Sequence, residues 1–185
     1  IHLVTDKISI DNFKINKNVV VMGLPGCGKS TVGKMLANIL NLKFVDIDSV
    51  IESEHGSISE IFESKGEEYF RKIESETIIK YVSMRGCLIS LGGGAVETSK
   101  TMEHLKKSDS DIILFIDAAF DVLLNRVTRT QNRPLLLGDA RKKLALLAER
   151  RSTLYAKYSD FRICVEQEQS AKLTAVKCVE ALCGL

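Results

Sequence analysis

The chain has 185 residues, of which 45% are hydrophobic and 27% charged, and its formal net charge at pH 7 is +2. That length suits one domain over residues 1–185 with a sizeable core. The composition excludes a largely disordered chain, and the near-balanced charge gives no reason to propose nucleic acid as a partner.

Residues 1–18 are polar and weakly patterned, a lead-in with room for a short strand. The chain starts at Ile1 rather than Met, which suits removal of a tag, a leader or an upstream segment. Residues 19–22, Val-Val-Val-Met, are a continuous β-branched run of the kind found in a strand buried on both faces. A glycine loop and a helical pattern follow it. Strands are then predicted over 43–46, 87–91, 111–116 and 161–165. Helices are predicted in several pieces over 49–84, and over 99–107, 120–129, 140–157 and 171–183. Strands separated by helices imply a parallel five-stranded sheet covered on both faces, an α/β/α sandwich. Residues 131–139 carry Pro134 and Gly138 between two helices and read as a mobile loop.

No apolar run approaches the ~20 residues of a membrane helix, so no membrane partner is expected. Cys27, Cys87, Cys164, Cys178 and Cys183 contain no C-x-x-C pair and read as free thiols of a reducing compartment. His2, His55 and His104 are scattered singly, without metal-site spacing.

The segment Gly23-Leu24-Pro25-Gly26-Cys27-Gly28-Lys29-Ser30-Thr31 matches G-x-x-x-x-G-K-[ST] between a buried strand and a helix. Its glycines let successive backbone N–H groups converge on phosphate oxygens, and the helix N-terminus adds partial positive charge. Gly26, Cys27, Gly28, Lys29, Ser30 and Thr31 are the expected nucleotide contacts. Lys29 would neutralise the β- and γ-phosphates of ATP, and Ser30 would place its hydroxyl on the accompanying Mg²⁺.

Asp46-Ile47-Asp48 ends the second predicted strand, where a period of two aims both carboxylates into one cleft. One could hold the metal through water and the other could draw a proton from a substrate hydroxyl. Asp48 could equally cap a helix beginning near Ser49, and spacing leaves both roles open. Arg71 and Glu74 lie three residues apart on a helix, as surface ion pairs often do. Gly92-Gly93-Gly94 directly follow a strand, where a ligand can approach the backbone or a plain turn can form.

Taken together, these blocks resemble the shikimate kinase family. The resemblance runs from about Val19 to the last helix. It rests on the phosphate loop, Asp46-Ile47-Asp48, Phe70-Arg71 with Glu74, Gly92-Gly93-Gly94, Arg133-Pro134-Leu135-Leu136, and Arg151 with Leu154-Tyr155. It implies a P-loop kinase fold with a helical substrate-binding region near 48–80 and a mobile lid near 128–140. It also implies transfer of the ATP γ-phosphate to the 3-hydroxyl of shikimate, in aromatic amino acid (chorismate) biosynthesis.

By the same resemblance, Asp46 is the water-bridged metal ligand. Asp48 holds the ring hydroxyls and serves as base, Arg71 and Arg151 clamp the shikimate carboxylate, and Glu74 orients Arg71. Gly92, Gly93 and Gly94 adjoin the substrate, with Gly93 or Gly94 in contact with its ring. Arg133 acts from the lid as an internal arginine finger, and Arg126 stacks on adenine, although Arg129 lies close by. The implied protein is a monomer, cytoplasmic in a bacterium or plastidial in a plant. Residues 128–132 and 166–170 align weakly with the family pattern. Asp117 imitates a Walker B acid at the end of an apolar strand. Of the adjoining Arg150 and Arg151, only one is expected to point into the cleft. Leu144, Leu147 and Leu154 form an apolar stripe that reads as core. Gluconate kinase, similar in size and loop, is the main enzymatic rival, and a nucleotide-binding homologue without catalysis is the non-enzymatic one.

Overall fold

The computed structural model describes residues 15–131, 137–167 and 169–184. Its strands are β1 (Asn18–Met22), β2 (Lys43–Asp46), β3 (Cys87–Ser90), β4 (Asp111–Ala118) and β5 (Phe161–Val165). The helices are α1 (Lys29–Leu40), α2 (Ile47–His55), α3 (Ile58–Val82), α4 (Ser99–Lys107), α5 (Phe120–Gln131), α6 (Leu137–Tyr158) and α7 (Ala171–Cys183). All described strand pairings are parallel, in the order β2-β3-β1-β4-β5. Central strands of such a sheet are covered on both faces, which is why β1 is an unbroken Val-Val-Val-Met run with every side chain buried.

Strand order decides where a ligand can sit. From β1 the chain crosses to β2 in one direction, whereas from β3 it crosses over β1 to β4 in the other. With right-handed crossovers, the two connections take opposite faces of the sheet. Accordingly α1 packs with α7, while α3, α4 and α6 pack in succession. The carboxyl ends of β1 and β3 therefore splay apart side by side, and a cleft opens at this switch point. Val21 pairs with Ser90, and the Leu91 N–H donates to the Val21 carbonyl at 3.0 Å. The phosphate loop and the three glycines are thus fixed as neighbours.

Most of the predicted elements appear, with two corrections. Both ends of the expected loop over 131–139 are helical, since α5 runs through Gln131 and α6 begins at Leu137. Helix starts tolerate Gly138 because the first N–H groups lack intrahelical partners, and Asp139 in the first turn complements the helix dipole. The second correction concerns Asp46-Ile47-Asp48, which does not continue the strand. Asp46, at φ −100° and ψ 114°, caps α2 by accepting from the Ser49 N–H, and Asp48 lies in the first helical turn. The cap is thus Asp46 and not Asp48. The helical region over 49–84 is broken again at Gly66, whose φ of 82° kinks α3 just before the turn that carries Arg71.

The entry of β1 is tied down by one buried amide. Asn18 Nδ2 donates to the Val82 carbonyl (2.6 Å) and to Asp111 Oδ1 (2.8 Å), while Asn18 Oδ1 accepts from the Cys87 N–H (3.0 Å). One side chain thereby joins the starts of three strands to the end of α3. Asn18→Ala should lower the unfolding free energy by about 2–3 kcal/mol, because it strands buried polar partners. Urea unfolding measures this, and an unchanged midpoint would mean that water replaces the amide without loss.

Candidate active site

The phosphate loop leaves β1 at Gly23 and enters α1 at Lys29. Gly26 and Gly28 have φ of 82° and 95°, left-handed values that side chains beyond glycine resist, and Gly28 caps α1. Lys29 Nζ lies 3.4 Å from the Leu24 carbonyl, folded over the loop. Arg126 on α5 donates through Nη1 to the carbonyls of Gly26 (3.2 Å) and Cys27 (3.1 Å). A cavity of about 490 Å³ opens here between Pro25, Gly26, Gly28, Lys29, Ser30, Thr31, Arg126 and Val127. Cys27 is buried under the loop.

Ser30 Oγ donates to Asp46 Oδ2 at 2.7 Å, which joins the start of α1 to the cap of α2. One residue into that helix, Asp48 feels the charges of Asp46, Lys29, Glu52 and Arg71. Burial, helped by Asp46, raises its carboxyl above the usual range, and Lys29 and Arg71 pull against that shift.

The second half of the site is built around the backbone of Gly92-Gly93-Gly94. A Cβ on Gly92 would lie 2.6 Å from Asp48 Oδ1 and 2.7 Å from Glu74 Oε1. A Cβ on Gly94 would overlap the Arg71 guanidinium, at 2.1 Å from Nη2. On Gly93 it would stand 3.4 Å from Arg151 Nη1 and 3.4 Å from Pro25 Cδ of the phosphate loop. None of the three has a left-handed φ, so at Gly92 and Gly94 glycine serves for close approach. The sequence suggested room for a ligand; the structure fills that room with two carboxylates and two guanidinium groups.

These side chains hold one another. Arg71 Nη1 donates to Glu74 Oε2 at 2.7 Å, and Nη2 donates to Glu67 Oε1 at 3.2 Å. Glu74 is only 1% exposed. Burial pushes its carboxyl up to about 7, against the pull of Arg71. Arg151 reaches in from α6, donates through Nη2 to Glu97 Oε2 at 3.2 Å, and is 7% exposed. Arg150 turns outward, as expected for one of the pair, yet it takes the same Glu97 carboxylate. The Tyr155 hydroxyl donates to the Gly93 carbonyl at 2.6 Å, which pins the glycine backbone to α6. Glu74 Oε1 and Arg151 Nε are buried without a hydrogen-bond partner among the described residues.

Other candidates fall elsewhere. Asp117 is engaged by Arg162 Nε at 2.6 Å across β4 and β5. Among the described residues no cluster of three His, Cys, Asp or Glu could hold a metal, and no helix is long and apolar enough to cross a membrane. The cysteines described are all free. Leu144 is buried, with Leu147 and Leu154 packed against the core. Arg133 and the rest of 132–136 lie outside the described residues, as do His2 and the Arg129 side chain. Glu67, Glu97 and the Tyr155 hydroxyl were not singled out from the sequence. Glu67 could have been, because it stands four residues before Arg71 on a helix. Glu97 meets α6 only through the tertiary fold and leaves no local signal.

A phosphate loop at the switch point of a β2-β3-β1-β4-β5 parallel sheet, beside a charged acceptor pocket, defines a kinase of the P-loop fold. The family model described as shikimate kinase matches residues 25–183. A shikimate kinase of Mannheimia succiniciproducens is 40% identical over 169 residues, covering 90% of this chain and 95% of that protein. The solved shikimate kinase of Acinetobacter baumannii in complex with shikimate superposes with a TM-score of 0.80 at 31% identity, covering 94% of this chain and 96% of that one. A gluconokinase of Sinorhizobium meliloti, at 14% identity and a TM-score of 0.61 over 93% of this chain and 94% of its own, shares the fold alone. The chain belongs to the shikimate kinase family.

The buried Glu74 carboxyl has a consequence for stability. Its folded-state value, about 7, lies above the free value of 4.5, so the native chain binds this proton more tightly than the unfolded one. The resulting stabilisation is complete below pH 4.5 and is lost as pH rises through about 7. Glu74→Gln cannot ionise. The unfolding free energy of the wild type relative to this variant should therefore fall across that interval, measured by urea melts at stepped pH. A flat difference would show Glu74 ionised throughout.

Proposed function

We propose that this chain transfers the γ-phosphoryl group of ATP to the 3-hydroxyl of shikimate, giving shikimate 3-phosphate and ADP. The observation that carries the reading is the shared approach of Pro25 and Arg151 to Gly93, both 3.4 Å from where its Cβ would stand. Phosphate cradle and acceptor pocket meet at one residue, and phosphoryl transfer needs chiefly such juxtaposition and charge.

ATP is proposed to lie with its phosphates on Gly26, Cys27, Gly28, Lys29, Ser30 and Thr31, with Arg126 at the edge of the nucleotide cavity. Mg²⁺ fits Ser30 and Asp46, an oxygen-only pair bridged at 2.7 Å, with few protein ligands as this cation prefers. When bound, it would draw charge from the phosphates. Arg71 and Arg151 would grip the shikimate carboxylate, since each offers a planar fork of donors. Asp48 would take the proton of the attacking hydroxyl. The hydroxyl oxygen then forms the new P–O bond as the β–γ bridge breaks toward ADP. A carboxylate raised above its usual range is the better base for that task. Arg133 is assigned, by resemblance alone, to close over the phosphates and stabilise their charge. All these residues come from a single chain, which suits a working monomer, and the reading places it in the cytoplasm.

A coupled assay of ADP release with shikimate, gluconate and nucleoside monophosphates tests the substrate. Turnover with shikimate alone is expected, and turnover only with another acceptor would overturn the reading. Asp48→Asn should cut kcat by about 10²–10⁴-fold while ATP still binds. Arg71→Ala should raise the shikimate KM by about ten- to a hundredfold, the worth of charged hydrogen bonds. Gly94→Ala should reproduce the Arg71 defect, because its methyl group would occupy the space of the guanidinium. Unchanged shikimate KM in both variants would remove Arg71 from the site.

A further inference from the structure

Arg151 is the more deeply placed of the two clamp arginines, and what holds it is not another residue of the acceptor pocket. Its Nη2 donates to Glu97 Oε2, on a short 3₁₀ turn (Ala95–Glu97) that directly follows the glycines. Nη1 faces Gly93, and Nε is buried without a partner among the described residues. The Arg151 side chain is 9% exposed and that of Glu97 16%. Glu97 is gripped from outside as well. Arg150, whose side chain is 63% exposed, donates to Glu97 Oε1 through Nε and to Oε2 through Nη2, the latter at 2.8 Å. Two successive arginines of α6 therefore share one carboxylate, one facing solvent and the other the site. Both keep that carboxyl ionised, down to about 2.

We propose that Glu97 is a positioning residue for shikimate binding: held by Arg150, it fixes the plane of the Arg151 guanidinium so that Nη1, on the Gly93 side, is presented to the substrate carboxylate. The proposal rests on the reading that Arg151 grips that carboxylate. A guanidinium has two edges that can meet an anion in bidentate fashion. Both edges share Nη2, so one Nη2 N–H committed to Glu97 sets the plane of the group and leaves Nη1 on the Gly93 side. Without Glu97, a buried cation would lose its anchor and turn toward other acceptors, Glu74 Oε1 or the Gly93 carbonyl among them. Substrate would then have to recover the productive orientation on binding.

The opposite expectation is equally definite, and this gives the test its sign. An acid near the binding site of an anion repels it, so removing a merely neighbouring charge should tighten shikimate binding. Removing a positioning group should weaken it. Glu97→Ala is expected to raise the shikimate KM by about tenfold, with the ATP KM unchanged and kcat within about twofold. Glu97→Gln, which keeps the shape and one acceptor, should give a smaller rise in the same direction and carries the test if the alanine variant does not fold. In an Arg151→Ala background, Glu97→Ala should add nothing further, because the two act through one group.

A lowered or unchanged shikimate KM in both Glu97 variants would overturn the proposal. So would a full further rise on top of Arg151→Ala, or a matching loss for ATP. Should Arg151→Ala itself leave the shikimate KM untouched, the carboxylate clamp falls and this inference with it. A raised KM for Arg151→Ala with no effect of Glu97 would leave the clamp standing and remove only the positioning role.

Discussion

The site depends on a stretch of backbone that carries no side chains. At Gly92, Gly93 and Gly94 the space of each missing Cβ is taken by functional groups, the Asp48 and Glu74 carboxylates at the first, Arg151 and Pro25 at the second, Arg71 at the third. At Gly92 and Gly94 any other residue would push these groups away, whereas at Gly93 a Cβ would only touch its neighbours, and positioning losses are costly in phosphoryl transfer. The glycines are not used for unusual dihedrals, in contrast to Gly26 and Gly28 in the phosphate loop, where left-handed φ values shape the loop itself. One residue type thus solves two separate problems within the same cleft.

Close approach would be of no use if the glycines lay far from the nucleotide. Sheet topology removes that difficulty, because β1 and β3 are hydrogen-bonded neighbours whose connections leave in opposite directions. The phosphate loop follows one strand and the glycines follow the other. Helices α2 and α3 bring Asp48, Arg71 and Glu74 to that junction, and α6 brings Arg151 and Tyr155. The guanidinium groups are held by carboxyl partners, Arg71 by Glu67 and Glu74 and Arg151 by Glu97, so a polar site can exist inside a compact protein.

Legibility in the sequence followed the range of each interaction. The strands β1 and β4 were plain because burial on both faces demands an unbroken apolar run, and the phosphate loop because its chemistry fixes residues at adjacent positions. Asp46 does end β2, but Asp48 falls in the first turn of α2, a difference hidden in the sequence because two acids at i and i+2 fit a strand end as well as a cap and first helical turn. Only the observed bond from the Ser49 N–H distinguishes them. The edge of α6 was missed by three residues, since Gly138 reads as a breaker except where a helix begins. Arg71 and Glu74 looked like surface decoration by spacing. It is the near-complete burial of Glu74, a tertiary property, that separates them from an exposed pair.

In the proposed reaction, two groups left unpaired among the described residues bear on selectivity. Glu74 Oε1 and Arg151 Nε are both buried, and an unsatisfied buried polar atom costs about 1–3 kcal/mol until something pairs with it. A ligand that supplies a hydroxyl to the one and a carboxylate to the other recovers that cost on binding. An acceptor without an acid group would meet the same phosphate loop but leave Arg151 Nε orphaned. Discrimination built on unpaired buried groups is steeper than discrimination by size. The wider P-loop fold, shared at low identity with a gluconokinase, does not by itself fix the acceptor, so in the proposed reaction that preference falls to the side chains around the three glycines.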